Sequence, residues 1–307
     1  MTEIMLTPGW VAVDWGTSNF RAFLMTEEGH VIDKLTASCG LLAVPNGQFP
    51  QTFQQLTSPW AGTIESLPIL FGGMVGSQQG WCDVPYVSLP VSIQALSMNL
   101  LDITLPWGHK GWIVPGATGC NPLNLPDVMR GEEIQLMGLA SRINSSNATT
   151  ILPGTHSKHA SLENGALMSF QTFMTGELFS VLKHHSILGR QLPEQTHCKE
   201  SYLFGVNVGL GGALSSVLFS ARTTRLFNHV APVHMESYLS GLLVGAELTA
   251  INIQDSIYIV GDEILSELYQ IALQHIGVSA EIVSGDACFL AGMTSIYKQS
   301  EEKRNVA

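Results

Sequence analysis

The segment Val11-Ala-Val-Asp14-Trp-Gly16-Thr17-Ser18-Asn19-Phe-Arg21 constrains the fold more than any other part of the chain. Residues 10–14 read as a short apolar strand ending in a carboxylate, Gly16-Thr-Ser18 as its turn, and residues 20–25 as the returning strand. A carboxylate at the end of a buried strand is costly unless it meets a metal, a proton or a hydrogen-bond donor. The turn offers backbone N–H groups and hydroxyls suited to phosphate oxygens, and Asp14 beside them suits a hydrated magnesium ion. For these residues alone, a purely structural hairpin with an Asp-initiated turn competes with that reading.

The rest of the chain alternates strands and helices. Strand signals recur at 30–35, 68–71, 111–115, 149–153, 256–260 and 280–284, and helical patterns at 51–64, 131–143 and 263–276. Glu163-Asn-Gly165 predicts a hairpin between 159–162 and 166–170, since Asn-Gly supplies the positive φ angles of a tight turn. Residues 175–248 read as mainly helical, with Gly176, Gly189, Gly241 and Gly245 as interruptions or close-packing points. This alternation predicts an α/β chain. With 307 residues, at roughly 150 per domain, two domains are expected. They divide at 1–130 and 131–307, the second beginning with an inter-lobe helix, and the polar loop 144–149 ends the connection.

Composition narrows the function classes. The net charge is -11, hydrophobic residues make up 45%, and only 13% of residues are charged, about half the usual roughly 25%. Disorder and a basic nucleic-acid-binding surface are therefore poor fits. Residues 201–221 carry no charge and include Gly205-x-x-x-Gly209, which imitates a membrane-helix motif. At this charge density a gap of that length arises about once or twice by chance, so a buried small-residue helix is preferred and no membrane is expected. Residues 1–8 lack the basic start of a secretory leader. Cys39, Cys82, Cys120, Cys198 and Cys288 are odd in number and form no C-x-x-C pair, which reads as reduced, buried thiols in the cytoplasm. His156-x-x-His159 and His184-His185 lack the third nearby ligand of a metal site.

Asp14-Trp-Gly-Thr-Ser-Asn-x-Arg21 resembles the first phosphate motif of the sugar-kinase, heat-shock-chaperone and actin superfamily of ATPases. More segments narrow the match: Phe71-Gly-Gly-Met-Val-Gly-Ser77 with Trp81 and Tyr86, Val114-Pro-Gly116, Pro126-Asp-Val-Met-Arg130-Gly-Glu132-Glu133, Leu152-Pro-Gly-Thr-His156-Ser-Lys158, Thr175-Gly-Glu177 and His185-Ser-Ile-Leu-Gly-Arg190. Their order over nearly the whole chain is similar to that of the 2-dehydro-3-deoxygalactonokinase family. The resemblance implies two ribonuclease-H-like lobes, mixed sheets flanked by helices, with an ATP cleft between them. It implies a cytoplasmic kinase that uses ATP and Mg2+ to phosphorylate the terminal hydroxyl of a 2-keto-3-deoxy sugar acid; the sequence leaves open whether the chain assembles as a homodimer.

Site roles follow from that resemblance. Asp14 would hold the metal; Asp14, Gly16, Thr17, Ser18, Asn19, Arg21, Gly154, Thr155, Lys158 and Gly261 would bind ATP; Gly73, Met74, Ser77, Trp81, Arg130 and Glu177 would hold the sugar acid. Asp127, Glu132 and Glu133 compete for the role of general base, against a reading in which Asp127 caps the following helix and the two glutamates face its dipole. The second phosphate turn departs from the superfamily pattern, because Leu152 and Pro153 stand where an acid is expected. Gly131-Glu-Glu also fits a phosphohydrolase of the same superfamily, and a nucleotide-dependent switch or chaperone is a third reading, for which the chain leaves little room.

Overall fold

The computed structural model describes residues 6–253 and 255–304, so most of the residues behind the leader argument, 1–5, lie outside it. The first unit opens with β1 (Trp10–Trp15), β2 (Phe20–Met25) and β3 (Val31–Ala37), followed by α1 (Phe49–Leu56) and β4 (Ile69–Gly72). Next come β5 (Val87–Ser88), α2 (Ile93–Met98), β6 (Leu101–Thr104), β7 (Lys110–Ile113), β8 (Ala117–Cys120), β9 (Pro126–Met129) and α3 (Glu132–Ala140). β1 is central in a six-stranded sheet of order β3-β2-β1-β4-β7-β6. It pairs antiparallel with β2, setting Asp14 opposite Arg21, and parallel with β4, setting Asp14 opposite Gly72. Both its faces are covered, which is why nearly every residue in it is apolar. Trp15, Phe20, Phe53 and Phe71 form the centre of the core on one side.

The second half of the chain supplies β10 (Asn147–Leu152), β11 (Ser157–Glu163), β12 (Ala166–Phe173), α4 (Thr175–His185), α5 (Lys199–Leu210), α6 (Leu214–Val217), α7 (Ser220–Leu226) and α8 (Met235–Leu248). It continues with β13 (Ser256–Gly261), α9 (Glu263–His275) and β14 (Ala280–Ser284), and α10 (Gly285–Arg304) ends the described chain. Its sheet runs β12-β11-β10-β13-β14. The first sheet has the same order over β3-β2-β1-β4-β7, so one strand plan is used twice, as a pair of ribonuclease-H-like lobes requires. Asn164 and Gly165 both have positive φ, 50° and 80°, in the expected hairpin turn.

Residues 201–221 are explained by helix packing. A Cβ on Gly205 or Gly209 of α5 would overlap the carbonyls of Tyr238 or Leu242 in α8, and one on Gly241 or Gly245 would overlap those of Tyr202 or Val206. The two backbones touch along this seam, and no helix among the described residues is long and apolar enough to cross a membrane.

Several expectations change. By contacts, one unit comprises the residues up to Ser146, Leu162–Phe170 and those from Gly285, and the other Asn147–Ser161 with Gln171–Ser284. The division expected at 130/131 thus gives way to one that keeps α3 and α10 with the first unit. The reason is a second glycine seam: Gly138 of α3 lies against the Cys288 carbonyl, and Gly292 of α10 against that of Ile134. The helix expected over 51–64 stops at Leu56, and Pro59 falls in a separate 3-10 turn. Residues 126–129 form a strand instead of a helix cap: β9 pairs with β8 in a three-stranded sheet of order β5-β8-β9. All five cysteines are free, but only Cys288 is buried and Cys120 is exposed.

Candidate active site

At the carboxyl end of β1, Gly16 N–H donates to the Asn19 carbonyl at 2.9 Å, closing the turn, and Gly40 N–H donates to the Ser18 carbonyl at 2.9 Å. A side chain at Gly40 would overlap the 17–18 peptide, so residue 40 must be glycine to brace the turn. Thr17, Ser18 and Asn19 are left exposed. Asp14, Gly16, Thr17, Ser18, Asn19 and Arg21 line one pocket with 36–38. Arg21 bonds Asp14 through Nε at 3.0 Å and through Nη2, while Nη1 bonds Asp286. Lys34 Nζ reaches the other Asp286 oxygen at 3.3 Å. Burial raises the Asp14 carboxyl above the usual carboxylate range, against the pull of Arg21.

The turn after β4 lies across this strand end. Gly73 has φ +90°, and a Cβ there would sit 3.0 Å from the Trp15 carbonyl oxygen and 3.2 Å from Asp14 Oδ1. At the other end of the same turn, Arg130 Nη1 lies 2.9 Å from where a Cβ on Gly76 would be. Glycine is therefore needed twice, once beside an acid and once beside a base. Arg130 is buried; its Nη2 donates to the Val84 carbonyl at 2.8 Å and its guanidinium stacks 4.4 Å over the Tyr86 ring. Arg130 Nε and Nη1, and Ser77 Oγ at the end of the turn, are buried without a hydrogen-bond partner among the described residues. Such orphaned donors are rare unless a ligand completes them. Met74 opens the 3-10 turn and packs partly on the core. Trp81 packs edge-on to Phe71, so of the two aromatic residues only Tyr86 flanks the guanidinium.

The three competing carboxylates take different surroundings. Asp127 lies in β9 opposite Gly119, and Gly131, at φ +103°, takes the N-cap position of α3. Glu133 is fully buried, and both its oxygens accept from Gly131 N–H, at 2.9 and 2.7 Å. Burial, then the charge of Glu132, pushes its carboxyl up to about 8. At neutral pH it is therefore mostly protonated and does not neutralise Arg130. Glu132 accepts from Arg130 N–H at 3.0 Å and is half-buried.

In the second unit, Gly154 and Thr155 lie in the turn between β10 and β11, and α4 starts against it. A Cβ on Gly176 would overlap the Gly154 carbonyl, and Glu177 N–H donates to the Thr155 carbonyl at 2.9 Å. Glu177 also holds His156 Nε2 at 2.6 Å, which ties it to this turn. Lys158 is buried on β11, unlike a surface hairpin lysine. Gly261 ends β13, and Asp262 caps α9 by accepting from Ile264 and Leu265 N–H. A cavity of about 320 Å³ is bounded by Gly154, Thr175, Gly176, Leu265, Leu268 and Tyr269, among others. No group of three metal-ligating side chains occurs among the described residues.

The first unit thus gathers Asp14, the 16–19 turn, Arg21, Gly73, Met74, Ser77, Arg130 and Glu132, and the second Gly154, Thr155, Lys158, Glu177 and Gly261. Sequence reasoning missed Asp286, which Arg21 and Lys34 share, and Val84, which anchors Arg130. It also missed Glu247, although a lone acid within an apolar helical run is a readable signal of a buried polar centre.

A family model described as 2-keto-3-deoxy-galactonokinase matches residues 14–296. The chain is 33% identical over 297 residues to the 2-dehydro-3-deoxygalactonokinase of Escherichia coli (strain K12), covering 95% of this chain and 98% of that one. It is 31% identical over 301 residues to a provisionally named 2-dehydro-3-deoxygalactonokinase of Rhizobium meliloti (strain 1021), at 95% and 97% coverage. A crystal structure from Sinorhizobium meliloti, provisionally given the same enzyme name, aligns with TM-score 0.86 and 29% identity over 94% of this chain and 98% of that one. With the strand plan and these matches agreeing, the chain belongs to the 2-keto-3-deoxy-galactonokinase family.

Proposed function

We propose that this ATP-dependent sugar kinase transfers the γ-phosphoryl group of ATP to the terminal (6-) hydroxyl of 2-dehydro-3-deoxy-D-galactonate, as a cytoplasmic step of galactonate catabolism. The observation that carries the substrate class is Arg130, a buried guanidinium with two nitrogens unpaired among the described residues; it lies against Gly76, and the next residue, Ser77, carries a buried hydroxyl likewise unpaired among them. A carboxylate supplies the paired acceptors that a guanidinium fork prefers, whereas a neutral sugar leaves the buried charge uncompensated. The 73–77 turn has its carboxylate-reading end at Gly76 and Ser77 and its other end at Asp14, which gives an extended sugar acid its orientation. Gly73 and Met74 would lie along that chain.

Residues 16–19 would cradle phosphate oxygens through N–H groups and hydroxyls, with Arg21 as a nearby cation. Gly154, Thr155, Lys158 and Gly261 would serve the nucleotide from the second unit. One acidic side chain beside hydroxyls and substrate phosphates suits Mg2+, which takes few protein ligands. Asp14 would hold that ion, and when bound it would offset charge on the phosphates. Among the three carboxylates, the half-buried Glu132 is our choice as general base, since the enclosed Glu133 favours its proton and offers no exposed oxygen.

Coupled ADP release, measured with magnesium across epimeric 2-keto-3-deoxy sugar acids and matched neutral sugars, tests the proposal. ADP formation with the galactonate-derived acid above its epimers and the neutral sugars is expected. Absence of ADP with every sugar acid, or equal phosphate release without any sugar, overturns it.

A further inference from the structure

Glu247, near the end of α8, is buried and takes no part in the chemistry described above. Its Oε1 accepts from Ser157 Oγ at 2.6 Å and meets His159 Nε2 at 2.9 Å. Its Oε2 accepts from Tyr269 Oη at 2.7 Å and from Thr175 Oγ1. Four partners from β11, α4 and α9 therefore converge on one carboxylate. Removing a carboxylate from water is unfavourable unless donors replace the solvent, and here they do so on both oxygens.

The identity of the partners shows what the acid holds. Ser157 directly follows the 154–156 turn, and Thr175 is the first residue of α4, whose next two residues press against Gly154 and Thr155. Thr175 and Tyr269 also bound the 320 Å³ cavity, of a size and partly apolar lining common in small-molecule sites. One carboxylate thus joins the strand after the turn, and the start of the helix packed on the turn, to a wall of the cavity.

We propose that Glu247 is a positioning residue for the nucleotide: without touching it, Glu247 locks the 154–157 turn, the start of α4 and Tyr269 into the geometry that binds ATP. This rests on the reading that the turn and cavity of the second unit take ATP. A binding site is only as well ordered as the groups that support its lining, so loss of the hub loosens the turn before it loosens the sugar-acid pocket of the first unit.

The test uses the whole protein. ATP binding is titrated calorimetrically without sugar, first on wild type, then on Glu247→Gln and Thr175→Val, and KM is measured for both substrates. In Glu247→Gln, Kd and KM for ATP rise about tenfold while KM for the sugar acid stays within about twofold. Thr175→Val moves ATP affinity the same way by a smaller factor. A purely structural role would lower the melting temperature and leave ATP affinity of the folded variants unchanged, and that result overturns the inference. If Glu247→Gln does not fold, Thr175→Val decides: unchanged ATP affinity there is equally fatal. Wild type that binds no ATP overturns the underlying reading instead, and it is seen before any variant is made.

Discussion

Arg130 and Glu247 are both buried charges, one in each unit, and they are treated in opposite ways. Glu247 has four side-chain partners and both of its oxygens are used. Arg130 has one carbonyl, one aromatic face, and two nitrogens without a hydrogen-bond partner among the described residues. Glu133, buried three residues further along the chain, holds a proton at neutral pH and does not balance it. A satisfied buried charge supports its neighbours, while an unsatisfied one is reserved for something that arrives. On the roles proposed above, this contrast divides scaffold from recognition.

The sharpest way to break this contrast is Arg130→Met. With two charge-assisted bonds lost, kcat/KM for the sugar acid falls about 1000-fold, and the preference for acid over neutral sugar disappears. A change in ATP affinity with sugar-acid KM untouched would refute the assignment. Next is Glu132→Gln, for which kcat drops about 100-fold or more with ATP binding intact, read by single-turnover kinetics; an equal loss in Glu133→Gln alone would move the base to Glu133.

Glu133→Gln otherwise tests the electrostatics beside Arg130. Because the folded carboxyl is raised to about 8 from an ordinary 4.5, its stabilising proton is fully present below about pH 4.5 and lost as pH rises toward 8. Wild type therefore loses stability across that window by at most about 1.4 kcal/mol per pH unit relative to Glu133→Gln. Melting curves from pH 5 to 8.5 should show the variant gaining on wild type, and parallel curves would mean that Glu133 is ionised throughout. The smallest effect is Asp262→Ala, which removes the cap of α9 and costs about 1 kcal/mol in thermal or denaturant unfolding, leaving sugar-acid KM unchanged.

The β1-turn-β2 motif was legible because its chemistry is local: an acid ends an apolar strand, and glycine and hydroxyl residues follow at once. The Asn164-Gly165 hairpin was legible for the same reason. Residues 126–129 were not, because Pro and Asp both disfavour strands and only pairing with β8 overrides that preference. Which of Glu132 and Glu133 faces the interior was also hidden, since adjacent helical residues point about 100° apart and both orientations suit an acidic first turn. Arg130 stood out in sequence, but its unfilled state depends on Val84, 46 residues away. The repeated strand plan leaves no short-period trace, because topology constrains polarity and turns more than residue identity.

The seam between α3 and α10 has a consequence for how the protein is made. α10 supplies Asp286 to Arg21, stacks Tyr297 on Trp10 at 4.5 Å, and seats Gly292 on α3. On the ribosome, the unit begun first is thus finished last: the nascent β1 waits, its aromatic surface uncovered, while every residue of the other unit is synthesised.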